Sequence, residues 1–416
     1  MRKSHWMKIA VIVFAFCMVA AIATQAQKFT TIANFSPSNF EPSGPLVQGS
    51  DGNFYGATSR GGLYASPCNS EVGCGTIFKM TPSGQLSTLY AFCQQANCTD
   101  GSSPNGGLVQ IGQYLYGTTY SGGNTTNGGT IFKLNAQGVL TTLYSFSCTQ
   151  STCLNGAGPM MGLQRAPNGE LYGGFSVYGP YFKITASGQF TSLGSCCGAL
   201  VFSPDGNTYG FGTNFNLGQS AVYKISVNGA QTTLYNFCSL PNCTDGSGPN
   251  TLVVGADGNL YGTTFQGGIA NNSLDYPKGG GTVFQLTPSG VLTTLYSFCT
   301  QVDIGGACSD GAEPNSLVQG VNGDFYGSTF SGGVSRYGAP LHCDLSVGCG
   351  TVFGITSTGA FTIVHSFCSV EGCTDGDAPV GLISSTTGVL YSPTYYGGPP
   401  NGGCDQSTCG TVFKVR

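Results

Sequence analysis

Four aspartates stand at equivalent points of a recurring loop, Cys-Thr-Asp-Gly-x-x-Pro-Asn or a variant of it: Asp100, Asp245, Asp310 and Asp375. Three amides follow at one fixed offset, Asn105, Asn250 and Asn315. A ring of carboxylates and amides has two chemistries open to it. It can hold Ca²⁺, which takes oxygen ligands, or it can hydrogen-bond the hydroxyls of a sugar. Asp-Gly also caps turns and Asn bonds local backbone, and a motif that recurs with its scaffold fits that structural role too. Tyrosines in a second set of loops (Tyr120, Tyr276 and Tyr337, with Tyr64, Tyr395 and Tyr396) can stack on sugar rings or contact a partner protein. The candidate ligand-binding set is therefore Asp100, Asn105, Asp245, Asn250, Asp310, Asn315, Asp375, Tyr120, Tyr276 and Tyr337.

Groups suited to catalysis are sparse. Beyond the N-terminal leader only His342 and His365 remain. His365 replaces the Tyr of a recurring strand phrase and reads as a packed side chain. His342 lies in a loop beside Cys343 and Asp344, the one histidine placed for acid–base work, though a surface-loop role suits it better. No GxSxG elbow, HExxH, Walker loop, GxGxxG or EF-hand pattern occurs. Glu313 and Asp377 are the irregular acids of the Asp-Gly loops, and paired carboxylates for glycoside cleavage need set separations that a sequence does not reveal. The reading is a binding or interaction module without a cofactor, Ca²⁺ being the one ion considered. A polysaccharide-acting lyase or hydrolase and a structural envelope protein are the alternatives.

One of the 19 cysteines, Cys17, falls in the leader. The other 18 form close neighbours: Cys68/Cys74, Cys93/Cys98, Cys148/Cys153, Cys196/Cys197, Cys238/Cys243, Cys299/Cys308, Cys343/Cys349, Cys368/Cys373 and Cys404/Cys409. An even, high count in an exported chain reads as disulfides. CxxC and Cys/His zinc spacings are absent, which argues against thiolate metal sites. Each staple closes a short loop and stabilises by roughly 2 kcal/mol in the chain-entropy model. Cys196-Cys197 would form a vicinal bridge.

The elements that carry these loops repeat. A phrase runs LVQ, a DG turn, LYGTT, a loop, GTVFKL, a short turn, then LTTLYSF, most clearly from Leu252 to Phe298. Seven LYG-type segments (near Tyr55, Tyr116, Tyr172, Tyr209, Tyr261, Tyr326 and Tyr391) alternate with seven GTVF-type segments. In the third and fourth copies Gly-Thr-Val-Phe degenerates to Pro180-Tyr181-Phe182 and Ala221-Val222-Tyr223. Each segment is short, β-branched and aromatic, and bounded by turn residues. Asp51-Gly52-Asn53 and Asp257-Gly258-Asn259 are hairpin turns. The expected fold is all-β, a seven-bladed β-propeller of four-stranded antiparallel blades. The last copy stops after its third strand, and the missing fourth appears at the other end as Phe29–Phe35. The N-terminal strand is thus expected to close the last blade and abolish the sheet edges, which an open solenoid would not need.

In an antiparallel a-b-c-d meander, the d-to-a and b-to-c connections share one face. These are the long, varied, cysteine-bearing ones, so one face is a crown of stapled loops, the usual place for binding on a rigid scaffold.

Residues 1–26 carry a basic start (Arg2, Lys3, Lys8), an apolar run from Ile9 to Thr24 and small residues before Ala26, the pattern of a cleaved signal peptide. Residues 27–416 form one domain. The leader holds three of the 14 basic residues and none of the 18 acidic ones, so the remainder carries a net charge of −7. That balance provides no footprint for nucleic acid or anionic lipid. A secreted or periplasmic monomer meeting an extracellular glycan or protein is expected. The only tryptophan, Trp6, leaves with the leader, which weakens the carbohydrate case.

The phrase LYGTT…GG…GTVFKLT…G…LTTLYSF resembles the GloVer tandem repeat of secreted bacterial choice-of-anchor proteins. The resemblance runs from about Phe29 to Arg416, with its best copies at Leu115–Phe146 and Leu260–Phe298. It implies a repeat scaffold and brings no activity with it. Relatives often end in an anchoring segment. Here Arg416 falls inside a repeat, so free secretion is the expectation.

Overall fold

Short runs of β-branched and aromatic residues, broken every few residues by Asp-Gly or Ser-Gly, form hairpins and nothing longer. The computed structural model describes residues 27–63, 68, 72–124, 126–147, 157–175, 180–195, 199–214, 219–226, 230–269, 279–302, 308–333, 348–399 and 409–416. They make seven antiparallel sheets of four strands each in a ring, a seven-bladed β-propeller. In blades 1 and 7 strand a is interrupted, as Asn39–Pro42 with Val47–Gln48 and as Asp377–Pro379 with Ile383–Ser384. The degenerate copies still provide strand c, as Pro180–Ile184 and Gln219–Ile225. Helical structure among the described residues is limited to three single turns, Ala96–Cys98, Pro241–Cys243 and Glu371–Cys373. No helix among them is long and apolar enough to cross a membrane.

The ring closes as the split repeat requires. Strand Phe29–Asn34 pairs antiparallel with Thr411–Val415, Thr31 opposite Phe413 and Ala33 opposite Val412. Phe35, Phe40, Phe54, Phe78, Tyr391 and Val412 bury one apolar seam between blades 7 and 1. The last Phe of each LYSF-type phrase fills the same niche elsewhere: Phe92, Phe146, Phe237, Phe298 and Phe367 are fully buried.

The recurring letters of the phrase have physical causes. The second Thr of LYGTT and the Thr of GTVF share a buried hydroxyl–hydroxyl bond in five blades, at 2.7 Å for Thr58–Thr76 and 2.9 Å for Thr119–Thr130, Thr264–Thr282, Thr329–Thr351 and Thr394–Thr411. The Gln of LVQ reaches back to the preceding blade's a-b turn. Gln110 accepts from Ser50 N at 2.9 Å, Gln319 from Ala256 N at 2.9 Å, and Gln48 from Thr386 N at 3.3 Å across the seam. The Gly of LYG lies beneath the strand-c Phe, and a Cβ at Gly262 would stand 2.5 Å from the Phe284 ring. Gly262→Ala is therefore expected to destabilise by about 1–3 kcal/mol through overpacking, read as a lower urea midpoint at unchanged m-value. A midpoint equal to that of the unaltered protein would contradict this packing.

Five cysteine pairs are disulfides: Cys68–Cys74, Cys93–Cys98, Cys238–Cys243, Cys299–Cys308 and Cys368–Cys373. Cys349 and Cys409 are disulfide-bonded too, and their sequence neighbours Cys343 and Cys404 lie outside the described residues. The expected pairs Cys148–Cys153 and Cys196–Cys197 fall wholly outside them as well. Three d-to-a staples hold both cysteines in left-handed backbone, Cys93–Cys98 (φ 69° and 52°), Cys238–Cys243 and Cys368–Cys373, and at Cys299–Cys308 only Cys299 adopts it. Non-glycine residues adopt that region only where the surroundings over-determine it.

Candidate functional site

The four Asp-Gly carboxylates do not face solvent. Asp100, Asp245 and Asp310 are fully buried and Asp375 nearly so. Each accepts from the aromatic that precedes Ser-Phe or its equivalent in its own strand d, and from backbone N–H just beyond that strand. Tyr90 Oη donates to Asp100 Oδ2 at 2.7 Å and Gln94 N at 3.0 Å. Tyr235 Oη and Ser239 N each donate to Asp245 at 2.9 Å, and Tyr296 Oη donates to Asp310 at 2.9 Å. His365, standing where the other blades have Tyr, meets Asp375 Oδ2 through Nε2 at 3.0 Å and stacks on Phe29 at 3.5 Å. It is the packed histidine that the sequence suggests. Burial, with the adjoining carboxylate also contributing, holds the Tyr90 phenol well above the ordinary phenol value, so it remains a donor. This set locks the stapled turn to the blade, and the four acids stay apart, one per blade.

The amides are also engaged. Asn250 Nδ2 donates to the Pro314 carbonyl at 2.6 Å and its Oδ1 accepts from Thr263 Oγ1 at 2.6 Å. Asn315 repeats this, donating to the Pro379 carbonyl and accepting from Ser328 Oγ, both at 2.7 Å. Each staples its blade to the following one. At Asn105 the backbone carbonyl accepts from Thr118 Oγ1 at 3.0 Å. Tyr276 and Tyr337, like His342, lie outside the described residues. Among the described residues no three carboxylate or imidazole side chains converge, and the convergent sets are of sulfur.

What the loop face does expose is aromatic. The residue after the second Thr of LYGTT is Tyr120 in blade 2, Phe265 in blade 5, Phe330 in blade 6 and Tyr395 in blade 7. The first three are 48%, 40% and 48% exposed. Alternation explains it: the Thr turns into the blade, so its neighbour turns out at the strand end. Phe265 and Phe330 were missed among the candidates because a phenylalanine in a strand reads as core. Their signal was positional, one residue beyond a buried Thr.

In blade 1 that position is Ser59, and there a cleft of about 390 Å³ opens. It is lined by Glu41, Ser59, Arg60, Cys68, Val72 and Gly73 of blade 1, by Ser102, Ser103, Ser121 and Asn127 of blade 2, and by Tyr395. Glu41 is 4% exposed and sits in left-handed backbone at φ 56°. Its Oε1 pairs with Arg60 Nη1 at 2.7 Å, and its Oε2 accepts from Tyr395 Oη at 2.8 Å. Burial first, then the Glu41 charge, raises the Tyr395 phenol far above its usual range, so Tyr395 is a fixed donor. The cleft therefore offers hydroxyls, an amide and a partly exposed guanidinium held in place by a buried carboxylate. Glu41 also escaped the sequence reading. The signal for it was alignment of Phe40-Glu41-Pro42 with Ala312-Glu313-Pro314.

Glu313 occupies the same left-handed position in blade 6, at φ 56°, where it accepts from Ser331 Oγ at 3.0 Å. Burial raises its carboxyl above the usual value. Asp377 is 3% exposed, and its Oδ2 has no hydrogen-bond partner. Burial first, and the Asp375 charge second, push its carboxyl up to about 7. The two irregular acids lie on different blades, 6 and 7.

No curated protein matches the sequence. Solved structures match in fold: a streptogramin B lyase (14% identity, TM-score 0.56, covering 94% of this chain and 97% of that one) and a catalytically inactive virginiamycin B lyase variant from Staphylococcus aureus with quinupristin (13%, TM-score 0.55, 94% and 99%). A third is the extracellular domain of a hybrid two-component system from B. thetaiotaomicron (10%, TM-score 0.54, 91% and 40%). The family model described as the Gloeobacter/Verrucomicrobia repeat matches residues 17–200 and 197–416, and the chain belongs to that family.

Proposed function

We propose that this protein is exported, loses residues 1–26, and acts as a monomeric extracellular binding module whose stapled loop face takes a glycan. One observation carries the reading: the same repeat position presents an exposed aromatic in blades 2, 5 and 6. A ring face stacks on the apolar face of a sugar, and the neighbouring cleft of Ser59, Arg60, Ser102, Ser103, Ser121 and Asn127 matches its hydroxyls. The disulfides fit an oxidising compartment. Binding rather than turnover is favoured because the acids of the cleft and of the Asp-Gly loops are engaged or buried, and fold likeness to lyases does not transfer a reaction.

The test is a glycan array probed with the mature protein, then calorimetry on any hit with Tyr120→Ala/Phe265→Ala/Phe330→Ala. These side chains are exposed, so the fold should be unaffected. Affinity is expected to fall by at least about tenfold, or 1.4 kcal/mol. An array without hits, or a hit that the triple variant binds equally well, refutes the glycan reading. A partner protein captured on the same three aromatics would replace the sugar as the ligand.

A further inference from the structure

The staples of one blade are not independent. In blade 1 the b-to-c pair Cys68–Cys74 and the d-to-a pair Cys93–Cys98 come together, and all four Sγ atoms lie within 4.8 Å of one another. Cys68 Sγ approaches Cys93 Sγ, of the other pair, at 3.9 Å. Three of the four cysteines are buried and Cys68 is half-buried. The edge of a tetrahedral zinc tetrathiolate is about 3.8 Å, given Zn–S bonds of about 2.3 Å. Blade 6 repeats the arrangement independently, with Cys349, Cys368 and Cys373 sulfurs within the same limit. The chain spacing is also the same, since 68, 74, 93 and 98 are offset as 343, 349, 368 and 373 are. A pair that only stiffens its loop has no need of a second pair against it, as Cys238–Cys243 shows in blade 4.

We propose that the four cysteines of blade 1 form a redox-gated metal site, two disulfides when oxidised and a closed tetrathiolate for Zn²⁺ or a similar soft divalent cation when reduced. A dithiol reductant delivers two electrons and two protons to each S–S bond and is itself oxidised to a cyclic disulfide. The four thiols then lose four protons as four metal–sulfur bonds form. The site is closed, with four protein ligands, so it serves structure and metal retention rather than Lewis-acid chemistry. Cys68 also lines the cleft of Ser59 and Arg60, but the inference does not rest on glycan binding, because its readout is the metal spectrum.

The experiment uses the full mature chain, reduced by a dithiol without denaturant, freed of reductant under anaerobic conditions and titrated with Co²⁺. The intense visible d–d bands of tetrahedral tetrathiolate cobalt are expected at stoichiometric metal, and Zn²⁺ should displace them. Cys68→Ser/Cys74→Ser should bind one equivalent fewer than the unaltered chain. The proposal is overturned if no such bands form, or if the double variant binds as much cobalt as the unaltered chain. Should reduction unfold the protein, Zn²⁺ is expected to restore its β-type circular dichroism, because metal binding is coupled to folding. Failure of zinc to do so also overturns it.

Discussion

Deleting residues 27–35 is expected to abolish the single cooperative unfolding transition of the chain and to leave an associating species. The deleted strand pairs with Thr411–Val415 and completes blade 7. Its Phe29 packs on His365 at 3.5 Å and on Phe413 at 5.1 Å, and Phe35 meets Phe78 edge-on at 5.1 Å in the seam. Removing each such Phe costs roughly 3–5 kcal/mol, a large share of a typical folding free energy of about 5–15 kcal/mol. The deletion also bares the backbone edge of Thr411–Val415, a template for pairing with another chain. Calorimetry and light scattering would read both effects. A truncated chain that still melts sharply as a monomer would show that the ring does not depend on this strand. Phe35→Ala, which keeps the strand, should lower stability by about 3–5 kcal/mol and preserve cooperativity.

Asp377→Ser is expected to stabilise the protein, by about 4 kcal/mol at pH 8. Burial and the Asp375 charge push the Asp377 carboxyl to about 7 in the fold, against about 3.9 in an unfolded chain. Between these values the folded state binds more protons than the unfolded one, so stability falls as pH rises from about 4 to about 7. Above that window the fold carries a buried carboxylate with one oxygen unpartnered. A carboxyl made about a thousandfold weaker as an acid by folding costs about 4 kcal/mol once it is ionised. Below about pH 4 the acid is protonated in both states and the variant should match the unaltered chain. Serine fits the position, because Ser102 and Ser247 occupy it in blades 2 and 5. Urea midpoints at about pH 4, 6 and 8 decide the matter: parallel pH profiles for the two proteins would remove Asp377 as the source.

The ring, its closure and its stapled face were legible because a blade is local. Period, turn residues and one misplaced strand specify it without any long-range guess. For the Asp-Gly acids the sequence leaves both a ligand and a turn-capping role open, because their partners lie outside the loop. Yet the partner is at a constant distance: Tyr90 precedes Asp100, Tyr235 precedes Asp245 and His365 precedes Asp375 by the same interval, with a staple between. The interval lengthens only at Tyr296 and Asp310, where the cysteines also move apart. Glu41 was hidden because strand a of blade 1 breaks between Pro42 and Val47, so the phrase starts late there. Its contact with Tyr395 crosses the seam, joining residues from the two ends of the chain. Exposure at Phe265 and Phe330 depends on where the strand stops relative to the rim, which composition does not encode.

The split of blade 7 between the two termini has a genetic corollary. The repeat beginning at LVQ coincides with a blade, while the chain enters on strand d and leaves on strand c, one strand out of phase with that unit. Unequal crossing-over between two copies gains or loses a whole wedge while both chain ends keep complementary partners. Each recombinant still finds its own clasp, so wedge number can drift across a lineage without any change at the join.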